Sequence, residues 1–251
     1  VLAIHSGSRG FGYQVCDDYL DRMEQAMKRY RIRLPDRQLA CAPLDSPEAR
    51  DYLAAMRAAA NFAWANRQTM MSLAGRALER ALGLSTADLG LRLVYDVCHN
   101  IAKLEEHDID GRRRRVCVHR KGATRAFPPG HDEVPEVYRQ VGQPVLIPGD
   151  MGRCSYVLVG AEAAMRRTFG STCHGAGRVL SRTAARKRGK GRDLVGEMRD
   201  RGVVVRATGR STVAEEMPEA YKDVTEVVDV MEAAAVSHKV ARLRPVGVVK
   251  G

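Results

Sequence analysis

Hydrophobic and polar positions change period along the chain, and each change predicts an element. Residues 1–4 form an unbroken apolar run and read as a short buried strand. Over residues 17–31 the spacing becomes helical, with Tyr19, Leu20, Met23, Met27 and Tyr30 largely on one side. Leu34-Pro35-Asp36 breaks that pattern. Ser46-Pro47-Glu48 then opens the longest helix, with a serine cap, a proline in the first turn and an acid near the positive end of the dipole. This helix is expected to run from 47 to about 82 with Tyr52, Met56, Ala59, Ala63 and Trp64 inward, and Gly83 suits its C-terminal cap.

Shorter segments follow. Residues 91–97, 116–119, 144–147, 155–159 and 203–206 read as strands, residues 225–236 as a helix, and 246–250 as a final extended piece. Glu105, Glu106 and His107 have near-helical spacing and are expected on the surface. Several strands run into glycine-containing polar loops. That recurrence predicts a single α+β domain over residues 1–251, with mixed sheets flanked by helices and a site built from strand-end loops. No internal repeat interrupts it.

Charge sharpens the picture. Lysine plus arginine is 41 against 30 acids, a net charge of +11, which favours a polyanionic partner such as RNA, DNA, a nucleotide or an acidic membrane. A soluble basic protein with scattered charge has the same composition. Arg112 to Arg115 form one basic run, and Arg182, Arg186, Lys187, Arg188, Lys190 and Arg192 form another. The six cysteines include no Cys-x-x-Cys pair, so neither a zinc ribbon nor a dense disulfide framework is indicated, and a reduced, cytoplasmic protein is expected. No apolar run is long enough to span a bilayer. The chain opens at Val1, inside what reads as a strand and without an initiator methionine, so an N-terminally incomplete sequence is expected.

The candidate chemistry centres on Ser171-Thr172-Cys173-His174-Gly175-Ala176-Gly177-Arg178. Small residues let the backbone approach a bound group, and the run 178–186 can form a helix whose first amides suit a phosphate. A histidine there can be a nucleophile, a metal ligand or a proton carrier. Arg178 and Arg182, four apart, would share one helical face. A glycine-rich helix start with a histidine beside it is the plain alternative. His5 and His99 each end an apolar run, and together they resemble metal ligands converging at a sheet edge. A core or capping role for His5 stays open.

Six motifs can then be read together: His5-Ser6-Gly7-Ser8-Arg9-Gly10, Asp96-Val97-Cys98-His99-Asn100, His119-Arg120-Lys121-Gly122-Ala123-Thr124-Arg125, Pro148-Gly149-Asp150-Met151-Gly152, the His174 motif, and Glu216-Met217-Pro218-Glu219-Ala220-Tyr221-Lys222-Asp223. Their order and content resemble the RtcB family of RNA-splicing ligases over essentially the whole chain. The resemblance implies a GTP- and manganese-dependent ligase acting in tRNA splicing or RNA repair. It would join RNA ending in a 2′,3′-cyclic phosphate or 3′-phosphate to RNA with a 5′-hydroxyl, with His174 as the catalytic residue carrying GMP. It implies Mn(2+) ligation by His5 and His99. It implies guanylate binding by His99, Asn100, Pro148, Gly149, Asp150, Met151, Ser155, His174, Gly175, Ala176, Gly177 and Lys250, with Lys250 recognising guanine and Tyr221 packing nearby. Arg9 and Arg182 would hold RNA phosphates.

The expected partners are GTP and RNA, as tRNA halves or broken RNA, and an activating protein; no membrane is expected and a monomer is. Two departures from the family stand out. The family has an earlier segment with an aspartate and a cysteine metal ligand, then an asparagine-histidine motif, and this chain starts just after it. The family's Pro-Gly-Ser-Met-Gly loop carries Asp150 here, followed by Arg153 where a small polar residue is usual. A catalytically deficient RNA- or nucleotide-binding homologue, and a mononuclear metal hydrolase using His5 and His99, are the competing readings.

Overall fold

The computed structural model describes residues 1–36 and 39–251. Backbone contacts group the chain into two compact units, residues 1–102 and 103–251. Helices and small sheets are mixed, as in an α+β fold.

The first unit is built on two helices, α1 (Arg9–Arg29) and α2 (Pro47–Leu82). For α2 the sequence signals hold at both ends. Ser46 Oγ accepts from the Ala49 amide at 3.1 Å, and Gly83 takes the left-handed conformation at φ 67° to close the helix. Ala59 and Ala63 are buried with Ala49, Leu53 and Gly75, while Tyr52, Met56 and Trp64 are half-buried. Small buried residues let the helices approach closely, and Tyr19 of α1 meets Tyr52 of α2 with ring centroids 5.5 Å apart. Helix α1 begins at Arg9, well before the periodic stretch from 17. Gly12 does not break it: a Cβ there would collide with Ser8 Oγ and lie 3.7 Å from Ala59 Cβ, so the glycine serves close packing.

Two expected strands are absent. Residues 1–4 and 91–97 carry no strand, and Val1, Leu2, Leu93 and Val94 are exposed. An apolar run becomes a strand only where another backbone offers a ladder. Here side chains of α2 hold Asp96 and the turn that follows residues 1–4. Arg67 donates from Nε to Asp96 Oδ1 at 2.7 Å and from a guanidinium nitrogen to the Ser6 carbonyl at 3.2 Å. Asn66 Nδ2 donates to Ser6 Oγ and to the Gly7 carbonyl, each at 3.0 Å.

The hairpin of β1 (Ile101–Ile109), which lies in the second unit from Lys103 on, and β2 (Arg112–Arg120) is turned by Asp110-Gly111 with positive φ at both residues, the pattern of a type I′ turn. The run Arg112 to Arg115 lies exposed on β2. Strand β3 (Ala123–Arg125) pairs antiparallel with β6 (Ser171–Cys173). Strands β4 (Pro144–Ile147), β5 (Ser155–Gly160) and β8 (Ser237–Leu243) form an antiparallel sheet in the order β4-β5-β8. Strand β7 (Val204–Ala207) runs parallel to β9 (Gly247–Lys250). Helices α3 (Glu162–Thr168), α4 (Arg182–Arg188), α5 (Leu194–Asp200), α6 (Arg210–Glu215) and α7 (Val224–Ala233) complete the unit. Two apolar clusters form its core. One gathers Met151, Leu194, Met198, Val205 and Met217, and the other Val145, Ile147, Cys154, Leu158, Val224 and Val228.

Glu105 and His107, expected on the surface, are buried. They lie on a strand rather than a helix, so alternation turns both inward and leaves Glu106 outside. Arg120, at the end of β2, is buried opposite. Its guanidinium donates to both Glu105 oxygens at 2.7 and 2.9 Å, to Ser171 Oγ at 2.9 Å and to the Phe169 carbonyl at 2.9 Å. Burial pushes the Glu105 carboxyl up, but Arg120 outweighs it and holds the group below the usual carboxylate range. Removing one partner strands a buried charge. Arg120→Ala is therefore expected to cost about 3–5 kcal/mol in urea unfolding, and the paired change Glu105→Leu with Arg120→Met less than that single change. A near-neutral Arg120→Ala would show that the pair does not hold the hairpin to β6.

Candidate active site

In the first unit, α2 brings the two histidine-bearing loops together through Arg67 and Asn66. His5 Nε2 and His99 Nε2 lie 3.2 Å apart, with the rings edge-on at 5.4 Å between centroids. Two imidazole nitrogens each about 2.1 Å from one ion and separated by that distance subtend roughly 100° at it, an angle between tetrahedral and octahedral values. The pair therefore fits as two of a cation's ligands. No cluster of three or more His, Cys, Asp or Glu groups that could hold a metal ion is found among the described residues. Asn100 follows His99 and is exposed, and Arg9, the first residue of α1, is exposed as well. Arg67 also reaches Cys98 Sγ at 3.6 Å.

In the second unit His174 directly follows β6. Its ring packs beside Gly122, where a Cβ would lie 3.7 Å from both Cδ2 and Nε2. Burial, joined by the positive charge of Lys121, holds the imidazole pKa below its usual value. The neutral form of the ring is thereby favoured at neutral pH. Neighbouring Cys173 is held in the thiol form, since burial pushes it up.

The turn after His174 locks onto the Pro148 loop. The Ala176 amide donates to the Pro148 carbonyl at 3.0 Å, and a Cβ on Gly175 would stand 3.1 Å from that oxygen. Ser155 Oγ accepts from the Gly149 amide at 3.2 Å. Pro148, Gly149, Asp150, Met151, Ser155, His174, Gly175, Ala176 and Gly177 are thus drawn into one pair of linked loops. Met151 and Ala176 point into the core clusters, so they face a ligand only through backbone.

The helix expected directly behind Gly177 is displaced. It starts at Arg182 with Ser181 as its cap, because residues 178–180 pair instead with the 220–221 segment: Val179 N donates to Ala220 O at 2.8 Å, and Arg178 forms a bridge with Tyr221. Arg178 and Arg182 therefore share no helical face. Arg178 donates to Tyr221 Oη at 2.8 Å and to the Glu215 carbonyl at 2.6 Å, with its guanidinium 4.8 Å over the Tyr221 ring. Tyr221 Oη donates to Glu216 Oε2 at 2.8 Å, and Lys250 Nζ donates to the same oxygen at 3.0 Å. Pairing of Ala207 with Lys250 sets the lysine's place. Burial raises the Tyr221 hydroxyl to about 12, helped by Glu216. Arg182 is exposed on α4 and, with Arg186, flanks Glu215 at 3.4 and 3.0 Å.

The departure at Asp150 has a structural account. Its side chain is buried, and Oδ1 accepts from the Gly152 and Arg153 amides at 2.9 and 3.0 Å, which closes the loop on itself. Oδ2 lies 3.4 Å from Arg153 Nε, a charge contact without hydrogen-bond geometry. Burial pushes this carboxyl up despite those contacts. Arg153 thus answers the acid that accompanies it.

Sequence reading missed Asn66, Arg67 and Lys121 as shapers of these loops. The one available signal for Asn66 and Arg67 was the polar run Asn66-Arg67-Gln68-Thr69 inside an alanine-rich helix. No helix among the described residues is long and apolar enough to cross a membrane.

The family model described as tRNA-splicing ligase RtcB matches residues 1–251. The chain is 58% identical over 250 residues to a tRNA-splicing ligase RtcB of Archaeoglobus fulgidus, covering 100% of this chain and 52% of that protein. It is 55% identical over 251 residues to proteins of the same name from Thermococcus kodakarensis and Pyrococcus abyssi, with 100% of this chain covered and 52% and 27% of theirs. It spans about half the length, or less, of the curated relatives it matches. With a matching family model over its full length, and its motifs assembled as linked loops within each unit, the chain belongs to the RtcB family.

Proposed function

We propose that this chain is the His174-bearing part of a GTP- and manganese-dependent RNA ligase, one that joins 2′,3′-cyclic phosphate or 3′-phosphate ends to 5′-hydroxyl ends in tRNA splicing or RNA repair. The observation that carries the proposal is an imidazole at the head of a glycine turn whose backbone is pinned to a second glycine loop. Nucleophilic attack on a phosphorus atom needs a lone pair in place and small residues that let phosphate oxygens come close to backbone amides. His174 Nε2 would attack the α-phosphate of GTP, form the N–P bond and release pyrophosphate. A cyclic end would first be opened by water to the 3′-phosphate; GMP would then pass from His174 to that phosphate, and the 5′-hydroxyl would displace the GMP. Lys250, oriented by Glu216, would meet the guanine edge, and Tyr221 would pack beside it. Arg9 and Arg182, both exposed, would take RNA phosphates. His5 and His99 would hold a divalent cation of the manganese class, which when bound supplies charge neutralisation for phosphate oxygens. A GTP-, manganese- and RNA-dependent reaction of a protein with no spanning helix among its described residues fits the cytoplasm.

Transfer of guanylate from GTP, read as a mass shift on the intact protein, is expected at His174 and lost in His174→Ala. Label that persists in that variant would assign the nucleophile elsewhere. The single-turnover rate should rise with pH and level off below the ordinary histidine range. The sign follows from the charge: burial and Lys121 both disfavour imidazolium, so the reactive form persists to lower pH. Lys121→Met is expected to move the profile to higher pH, though only in part, because burial remains.

Manganese binding gives a separate measure. His5→Ala is expected to weaken Mn(2+) uptake by calorimetry at least tenfold, and Arg67→Met to weaken it less, through misplacement of the same loop. Equal affinity in the parent chain and His5→Ala would remove the histidine pair from the metal site.

A further inference from the structure

A second basic feature lies in the 103–251 unit, apart from the residues assigned above to GTP. A cleft of about 570 Å³ is lined by Gly152, Arg153, Cys154, Asp223, Thr225, Arg242 and Arg244. Its walls come from three places: the end of the Pro148 loop, the start of α7, and the end of β8 with the residue after it. The register pairs Arg242 with Tyr156 across the sheet, and Arg244 follows two positions on. Residues two apart on an extended strand point to the same side and are spaced by roughly 6.6 Å, so the two guanidinium groups serve separate anionic groups more readily than one. Arg201 belongs to the same neighbourhood, since Arg244 donates to its carbonyl at 3.2 Å and its own guanidinium packs against Gly152.

The charges here do not cancel. Arg153 is answered by Asp150 at 3.4 Å and donates to the Lys222 carbonyl at 3.2 Å. Asp223 caps α7 by accepting from the Thr225 amide at 2.8 Å. Among the described residues, neither Arg242 nor Arg244 stands in an ion pair, and both are exposed. The cleft is therefore a net-positive concavity with two exposed guanidinium groups, Arg244 donating to a carbonyl and Arg242 drawn toward Cys154 and Asp223, and a threonine hydroxyl, in a chain of net charge +11. Its volume exceeds one phosphate several-fold, and no aromatic side chain lines it for a base to stack on.

We propose that this cleft holds the phosphodiester backbone of the RNA, away from the ends being joined, with Arg242 and Arg244 on successive phosphates. The inference rests on the proposed RNA ligase reading. Its consequence is an affinity term that is salt-dependent and indifferent to sequence, because phosphates carry no base identity. Arg153 joins the cleft to Asp150 and so to the Pro148 loop, which places bound RNA and the nucleotide loop in mechanical contact.

The test is fluorescence anisotropy of a labelled single-stranded RNA lacking terminal phosphates, titrated with the full chain between 25 and 300 mM salt. Arg242→Gln with Arg244→Gln is expected to weaken binding five- to twentyfold at low salt and to lower the salt slope by about one to two, for any sequence. Arg242→Lys with Arg244→Lys, which keeps the charge and guards against misfolding, should stay within threefold of the parent. Parental affinity and slope in the glutamine variant would overturn the proposal. So would a loss of inorganic phosphate binding with RNA affinity unchanged, which would assign the cleft to a free anion. Guanylate transfer to His174 without RNA should be equal in the parent and the glutamine variant. The cleft and the nucleophile can therefore fail separately.

Discussion

A guanidinium with no access to water ties the second unit together. Arg120 spends its donors on a carboxylate from β1, a hydroxyl from β6 and the carbonyl of Phe169 just before β6. Taking such a charge out of water is costly, and only near-complete pairing offsets it. The arrangement is therefore close to all-or-none, which suits a part that must hold its neighbours in one register. One neighbour is β6, and His174 is the next residue after it. Another is the turn Lys121-Gly122, which supplies both a positive charge and the open space that the imidazole ring uses. A pair that reads as stability alone also bears on where the imidazole after β6 sits.

The same logic of indirect placement recurs. Lys250 is held by a carboxylate that also takes the hydroxyl of Tyr221, and that tyrosine lies under Arg178 from the glycine turn. Three stretches far apart in sequence thus meet through one acid. Burial pushes the Glu216 carboxyl up, but Lys250, Tyr221 and Arg178 together hold it below the usual carboxylate range. In the first unit Arg67 plays the corresponding part, standing between the loops of the two histidines.

What the sequence disclosed, and what it hid, divides along physical lines. The ends of α2 were legible because capping is local: a serine, a proline and a glycine act within a turn of themselves. The motifs of the site were legible because each is a short string with its own chemistry. Residues 1–4 and 91–97 were misread because apolar runs do not say whether a partner strand exists. Glu105 and His107 were misread because their partner, Arg120, is a non-local one. The helix after Gly177 slipped by four residues for a similar reason, since the 220–221 segment competes for the backbone of 178–180. The Asp110-Gly111 hairpin, by contrast, was visible in the letters and went unread.

Gly149 carries an implication beyond its own loop. A methyl group there would overlap the carbonyl oxygen of Cys154, and Val224 would crowd it from the other side at 2.9 Å. The obstacle is main chain, which cannot swing aside as a side chain can. Even alanine is thus barred unless residues 149–154 are rebuilt together. Variation in this bend is expected to arrive in blocks and seldom as single steps.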